Sequence, residues 1–185
     1  MSIMSDLKEN IPLRMRREHL SNLPLLLPRN GYSIRWFRPG DEANWAQIQS
    51  EADYFNRITR NLFQSQFGGA GESLGQRICF LEDAQHRPIG TGAAWFVERP
   101  DSPMGRIHWL AVLPEAQGRG HGQTLLSVLC QRLRELGHRQ VFLKTASARI
   151  LAIRLYLKFG FTPWPSGADE EAVWSRLLKQ PEFQR

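Results

Sequence analysis

Ile107-His108-Trp109-Leu110-Ala111-Val112-Leu113-Pro114-Glu115-Ala116-Gln117-Gly118-Arg119-Gly120-His121-Gly122-Gln123-Thr124-Leu125-Leu126 is the stretch on which the reading of this chain turns. Residues 107–112 are mostly apolar and rich in β-favouring Ile, Trp and Val, and Pro114 cannot continue a ladder. From Gly122 onward Leu125, Leu126, Leu129, Leu133 and Leu136 recur at helical spacing until Gly137 stops them. The pattern predicts a strand, a glycine-rich loop and a helix in immediate succession. Such a junction presents unpaired backbone N–H groups and the positive end of a helix dipole to one point in space, which suits a phosphate. Gly118, Gly120 and Gly122 lack the Cβ that would hold a diphosphate away, and Arg119 and His121 project outward between them.

Two familiar phosphate loops fail on spacing. The dinucleotide fingerprint needs two residues before its third glycine and an acid about 20 residues further on, where this chain has residues 141–144, Val-Phe-Leu-Lys. The P-loop fails for want of Gly-Lys-Ser/Thr. What the chain does carry is Leu110-x-Val112, then Gln117-x-x-Gly120-x-Gly122, then Ala152-Ile153-x-Leu155-Tyr156-x-x-x-Gly160-Phe161. In order and spacing these pieces resemble the GNAT superfamily of acyl-CoA-dependent N-acyltransferases. The detailed match covers residues 105–162, with a looser match of element order back to Tyr32.

Composition sets the outer bounds. The 185 residues suit one domain with a sizeable core, and 42% apolar with 23% charged residues is a globular balance. A net charge of +6 fits a polyanionic ligand such as coenzyme A. It fits nucleic acid as well, but the arginines are scattered and no recognition motif appears, so nucleic-acid binding is disfavoured. Cys79 and Cys130 sit within apolar or helical runs and read as buried thiols, which makes the cytoplasm the default compartment. Histidines 19, 86, 108, 121 and 138 show no metal-ligand spacing, so no metal is expected. Residues 23–27 are too short and too broken by proline for a membrane span or signal peptide.

Along the chain, residues 1–31 mix arginine with proline and read as an extension with little regular structure, preceding a domain over 32–185. Leu20 and residues 23–27 are apolar enough to lie against the domain or against a second copy in a homodimer. Tyr32, Ile34 and Trp36 alternate as a strand, Asp41 is placed to cap, and Trp45, Ile48 and Ala52 share one face of a helix over 42–52. A second helix over 57–67 precedes the loop 68–71; strands 77–81 and 89–97 then flank a polar turn, and a loop over 100–105 leads to the organising strand. Strand 141–145, a helix through Phe159 capped by Gly160, and a closing hairpin of 161–164 with 172–178 complete an α+β domain. The resemblance implies a mixed, mainly antiparallel central sheet flanked by helices and splayed between the organising strand and 141–145 into an acyl-CoA cleft.

It also implies transfer of an acetyl group from acetyl-CoA to a primary amine by direct attack in a ternary complex. Loop amides from Gln117, Gly118, Arg119, Gly120, His121, Gly122 and Gln123 would hold the pyrophosphate. The main chain of Leu110, Ala111 and Val112 would run along the pantetheine arm like an added strand, with the Val112 N–H polarising the thioester carbonyl. Tyr156 is the candidate acid for the departing thiolate: a phenol near pKa 10 protonating a thiolate near 8.5 is uphill by about 2 kcal/mol, which a preformed hydrogen bond can absorb. His108 is the candidate base. Strand alternation places Arg106, His108, Leu110 and Val112 on one face, and arylalkylamine members of the superfamily carry a histidine at this position before Leu-Ala-Val. Taking a proton from an ammonium near 10.4 is uphill for an imidazole near 6.5 by about 5 kcal/mol, so a relay through water is equally consistent. Replacing His108 should flatten the low-pH limb of the rate profile.

The chain departs from the family pattern at Arg149, where many members carry asparagine three residues before the Ala152 position. The acceptor stays open between small-molecule amine, peptide N-terminus and protein lysine. Glu51, Asp53 and Glu72 could attract a cationic amine and Tyr54, Phe55, Phe63 and Phe67 could line an apolar slot, although core packing and solvation explain most of them. A non-catalytic acyl-CoA-binding or regulatory module on the same fold is the alternative reading.

Overall fold

A computed structural model describes residues 10–59, 61–68, 71–98 and 103–183, without the side chain of Glu72. Its strands are β1 Pro12–Arg17, β2 Ser33–Trp36, β3 Ile78–Glu82, β4 Pro88–Val97, β5 Met104–Val112, β6 Val141–Ala146 and β7 Thr162–Pro163. Its helices are α1 Glu42–Ala52, α2 Leu62–Phe67, α3 Leu74–Arg77, α4 His121–Glu135, α5 Ile150–Lys158 and α6 Ala168–Leu177. The strands form one seven-stranded sheet in the order β2-β3-β4-β5-β6-β1-β7, antiparallel at every junction except the parallel β5–β6 pair.

Both faces of the central strands are covered. On one face Leu125 and Leu129 of α4 come so close to β4 that a Cβ at Gly90 would meet Leu125 Cδ1 at 2.9 Å, and one at Gly92 would meet Leu129 Cδ1 at 2.7 Å. Those two glycines let the helix settle onto the strand. On the other face an aromatic cluster joins α1 and α2 to the sheet: Trp45 packs edge-on to Phe63, Phe67 and Trp109, and Phe67 packs edge-on to Trp95. Phe63 and Phe67 are therefore core.

Four sequence expectations need correction. Composition predicts little regular structure in the N-terminal segment, but Pro12–Arg17 is a strand paired with β6 from Pro12↔Ala146 to Arg17↔Val141 and with β7 on its other side. Leu13 and Met15, buried completely, alternate with Arg14 and Arg16. That is a period-two signal which the arginine and proline content of the segment masked. Further on, Leu20 is buried, and Ser127 of α4 accepts from the Leu26 amide and donates to the Pro24 carbonyl. This segment lies against the domain.

The closing hairpin is the second correction. Strand β7 pairs with β1, and residues 172–178 belong mostly to α6, whose Val173, Trp174 and Leu177 are buried at helical spacing behind Asp169, Glu170 and Glu171 in the first turn. Acids at a helix N-terminus are the signal that outweighs the β-favouring Val-Trp pair. Third, the side chain of Asp41 caps no helix amide; it forms a bidentate ion pair with Arg35, 2.6 and 2.8 Å, that ties β2 to the start of α1. The second helix is also shorter than expected, beginning at Leu62.

Candidate active site

The parallel ladder between β5 and β6 spans only Gly105↔Val141, Arg106↔Phe142 and Ile107↔Leu143, after which the two strands part. The opening is a cleft of about 340 Å³ whose lining includes Gln49, Gln66, residues 106–110, Lys144, Arg149 and Tyr156. Because the Leu113 N–H donates to Ile89 on β4, alternation turns the main-chain groups of Leu110 and Val112 to the side facing the cleft. There β5 has no strand partner among the described residues.

Beyond Leu110, the last residue of β5 in the cleft lining, the chain runs through Leu113 and the turn Pro114–Ala116 into the loop and α4. Gly118 and Gly120 take φ of 74° and 86°, a region open to glycine and costly for other residues. Main-chain N–H groups of Gly118, Arg119, Gly120, His121 and Gly122 donate to nothing among the described residues. Those of Gln117 and Gln123 bond to the Pro114 and Gly120 carbonyls, and the Gln117 side chain holds the Val112 carbonyl at 2.9 Å. The loop thus offers an uninterrupted run of free amides at the start of a 15-residue helix, a fit to a diphosphate. Arg29, from the N-terminal segment, reaches this loop, its Nη2 3.7 Å from where a Gly120 Cβ would stand. Burial and the charges of Arg119 and Arg29 both lower the His121 pKa. Arg29 is a candidate residue that sequence reading missed, since nothing local connects positions 29 and 120.

Alternation along β5 breaks at Trp109. Thr91 faces Ala111 while Ala93 faces His108, so β5 carries an extra residue there, and Trp109 sits at φ 51°. This bulge exchanges the faces: Leu110 and Val112 lie beside Gly92 and Gly90 on the α4 side, whereas Arg106 stands opposite Trp95 and His108 packs edge-on to Phe67 on the α1–α2 side. Arg106 and His108 therefore do not share a face with Leu110 and Val112.

Two glutamines secure the bulge. Gln49 donates to the Trp109 carbonyl at 2.7 Å. Gln66 Oε1 accepts from Trp109 Nε1 at 3.0 Å and lies 3.1 Å from His108 Nε2. An indole nitrogen can only donate, so that amide oxygen is fixed as an acceptor and His108 Nε2 must carry its proton. Nδ1 is left as the ring's acceptor. Burial, followed by the charges of Arg106 and Lys144, pushes the His108 pKa down to about 3. The low-pH limb anticipated for this histidine therefore cannot arise near neutrality.

Tyr156 enters the cleft from α5, and burial raises its pKa to about 12, so it keeps its proton and can donate it. At the rim Arg149 Nη2 contacts both carboxylate oxygens of Asp53 at 2.9 and 2.8 Å, joining the end of α1 to the start of α5. This pair explains why arginine is accommodated at 149 and uses up the carboxylate of Asp53. Tyr54 is exposed, Phe55 is half-exposed beneath the Arg149 guanidinium, and Glu51 bonds to Gln47 at the surface. The Glu72 side chain lies outside the described residues.

With the geometry in place, the comparisons fall on the same elements. Residues 35–161 match the Acetyltransferase (GNAT) family. Mycothiol acetyltransferase of Thermobispora bispora is 31% identical over 161 residues, which cover 82% of this chain and 53% of that protein. The mycothiol acetyltransferase of Acidothermus cellulolyticus is 28% identical over 172 residues, 85% of this chain and 53% of its own length. The chain thus spans about half the length of these relatives. A GCN5-related N-acetyltransferase from Sphaerobacter thermophilus superposes with a TM-score of 0.69 at 22% identity, covering 84% of this chain and 50% of that one.

Proposed function

Because the chain belongs to the GNAT family of acetyltransferases, we propose that it moves an acetyl group from acetyl-CoA to a primary amine by direct attack in a ternary complex. The observation that carries this reading is the run of amides from Gly118 to Gly122, unpartnered among the described residues, beside a stretch of β5 edge that no described strand pairs. In this proposal those amides, with Arg119 and Arg29, take the pyrophosphate. Leu110, Ala111 and Val112 guide the pantetheine, and Gln117 and Gln123 frame the loop.

The amine lone pair attacks the thioester carbon, whose oxygen is held by the Val112 N–H, and the C–S bond breaks as the tetrahedral species collapses. Tyr156 donates its proton to the departing sulfur. Full transfer from a phenol at about 12 to a thiolate near 8.5 is uphill by roughly 5 kcal/mol in water's terms. Burial raises the pKa of a thiol as well, as it does for Cys79 and Cys130, so desolvation of the sulfur in the cleft narrows that gap.

Direct proton abstraction by His108 is a different matter. With its pKa near 3 it falls short of an ordinary ammonium by about 10 kcal/mol. We assign it the lesser task of accepting a hydrogen bond at Nδ1 from the amine, while water carries the proton away. The field of Arg106 and Lys144, which adds to burial in keeping His108 neutral, also disfavours a bound ammonium, and so favours the free amine that attacks.

Calorimetry with acetyl-CoA, followed by thiol release with a panel of amines, tests the proposal. Micromolar binding and amine-dependent release are expected, and Tyr156→Phe should lower kcat by about a hundredfold or more while sparing acetyl-CoA affinity. Absence of heat would overturn the assignment, and binding without release would favour a non-catalytic acyl-CoA module. Mycothiol-type acceptors belong in the panel because of the relatives' name.

A further inference from the structure

The acceptor end of the cleft carries an unbalanced positive charge that acetyl transfer as such does not require. Arg106, Lys144 and Arg149 line it, and among the described residues no carboxylate does. Arg149 is neutralised by Asp53, but Arg106 and Lys144 form no hydrogen bond or ion pair with any described residue. Arg106 is the telling case: its Nε is buried without a partner, and its guanidinium rests over the Phe142 ring at 5.7 Å. Buried charge is normally paired, since desolvation otherwise goes uncompensated. On β1, Arg14, whose Nε likewise lacks a hydrogen-bond partner, at least faces a carboxylate, Glu170 at 3.6 Å.

These two cations are too far away to serve the coenzyme's diphosphate. Six positions of β5 separate Arg106 from Val112, roughly 20 Å of strand at about 3.3 Å per residue, and the loop lies beyond. The register instead sets Arg106 beside Phe142, with Lys144 one side-chain repeat further along β6 and so level with His108. A simple ammonium would be repelled from this corner. An acceptor whose negative group lies against the pair is drawn in, and its amine is left free to reach the thioester.

Resting on the acetyltransferase reading above, we propose that the acceptor is an amine that also bears a carboxylate or phosphate, bound by Arg106 and Lys144. These are specificity residues; neither touches the reacting atoms.

The test compares matched amines with and without an anion: O-phosphoethanolamine against ethanolamine, and 4-aminobutyrate against butylamine. Acetyl-CoA-dependent thiol release should favour the anionic member of at least one pair by tenfold or more in kcat/KM, and which pair responds separates phosphate from carboxylate. Lys144→Gln, at an exposed position, should collapse that ratio through KM, and Lys144→Glu should invert it. Arg106→Gln should act in the same direction. Equal or better use of the uncharged members, or a ratio that both glutamine variants leave intact, would overturn the proposal. Calorimetry of the same amines without acetyl-CoA reads the preference independently of turnover. Anion binding lost in Lys144→Gln, with no thiol release from any amine, would sink the transferase reading and keep this one.

Discussion

Gln66 shows how much a single side chain outside the motif can decide. Its amide oxygen is committed by the Trp109 indole, and that commitment sets the tautomer of His108. Enclosure by Phe67 and Trp109, with Arg106 and Lys144 nearby, then keeps the ring neutral down to a pH of about 3. The unfolded chain takes up a proton at His108 near pH 6.5 and the folded protein does not, so stability falls as pH drops below 6.5 and continues to fall until about 3. Wild-type protein should lose on the order of 3 kcal/mol more than His108→Gln between pH 6.5 and 4, read from denaturant melts at each pH. Identical acid sensitivity in the two proteins would show that His108 is far more solvated than its burial indicates. The acid side of the kcat/KM profile should be alike in both, which reverses what the sequence alone led one to expect.

At the scale of elements, the strand, loop and helix around residues 107–126 divide into a part written in local sequence and a part that is not. Glycine at 118 and 120 reports positive φ, and the structure has it at both. The bulge at Trp109 carries no such mark, because a tryptophan with φ of 51° is held there by Gln49 and Gln66 from α1 and α2. A pair of substitutions separates the loop's local geometry from its ligand chemistry. Gly120 at the start of α4 and Gly137 just past its end have φ of 86° and 84°. Alanine at either should cost about 1–2 kcal/mol for the left-handed backbone. Only Gly120→Ala should also weaken acetyl-CoA binding, by at least tenfold in calorimetry. Equal affinity in the two variants would remove the loop amides from the site.

Across the whole molecule, the sheet is completed by the chain's first strand. β1 lies between β6 and β7, bringing Leu13 and Met15 to full burial and Pro12 to the cleft lining. Residues on both sides of position 32 therefore share one core. Leu13→Ala should cost about 2–5 kcal/mol in a single cooperative denaturation, whereas a loosely attached extension would show almost no change. Arg29 joins the loop by the same route: after β1, the next-to-last strand of the sheet, the chain returns across α4, and residues 20–29 are laid over it.

Hydrophobic period, glycine and proline placement, and the spaced Gln117, Gly120, Gly122 and Tyr156 determined by themselves the family, the central elements and the loop proposed to take the coenzyme, because most of these signals lie among residues near in sequence. Only tertiary structure decided where β1 inserts, that residues 172–177 coil instead of pairing, which face His108 occupies and which protons it can hold. Those outcomes depend on long-range partners. A strand finds its place by the edge left open to it, and a buried ring takes its pKa from charges and walls supplied by other elements.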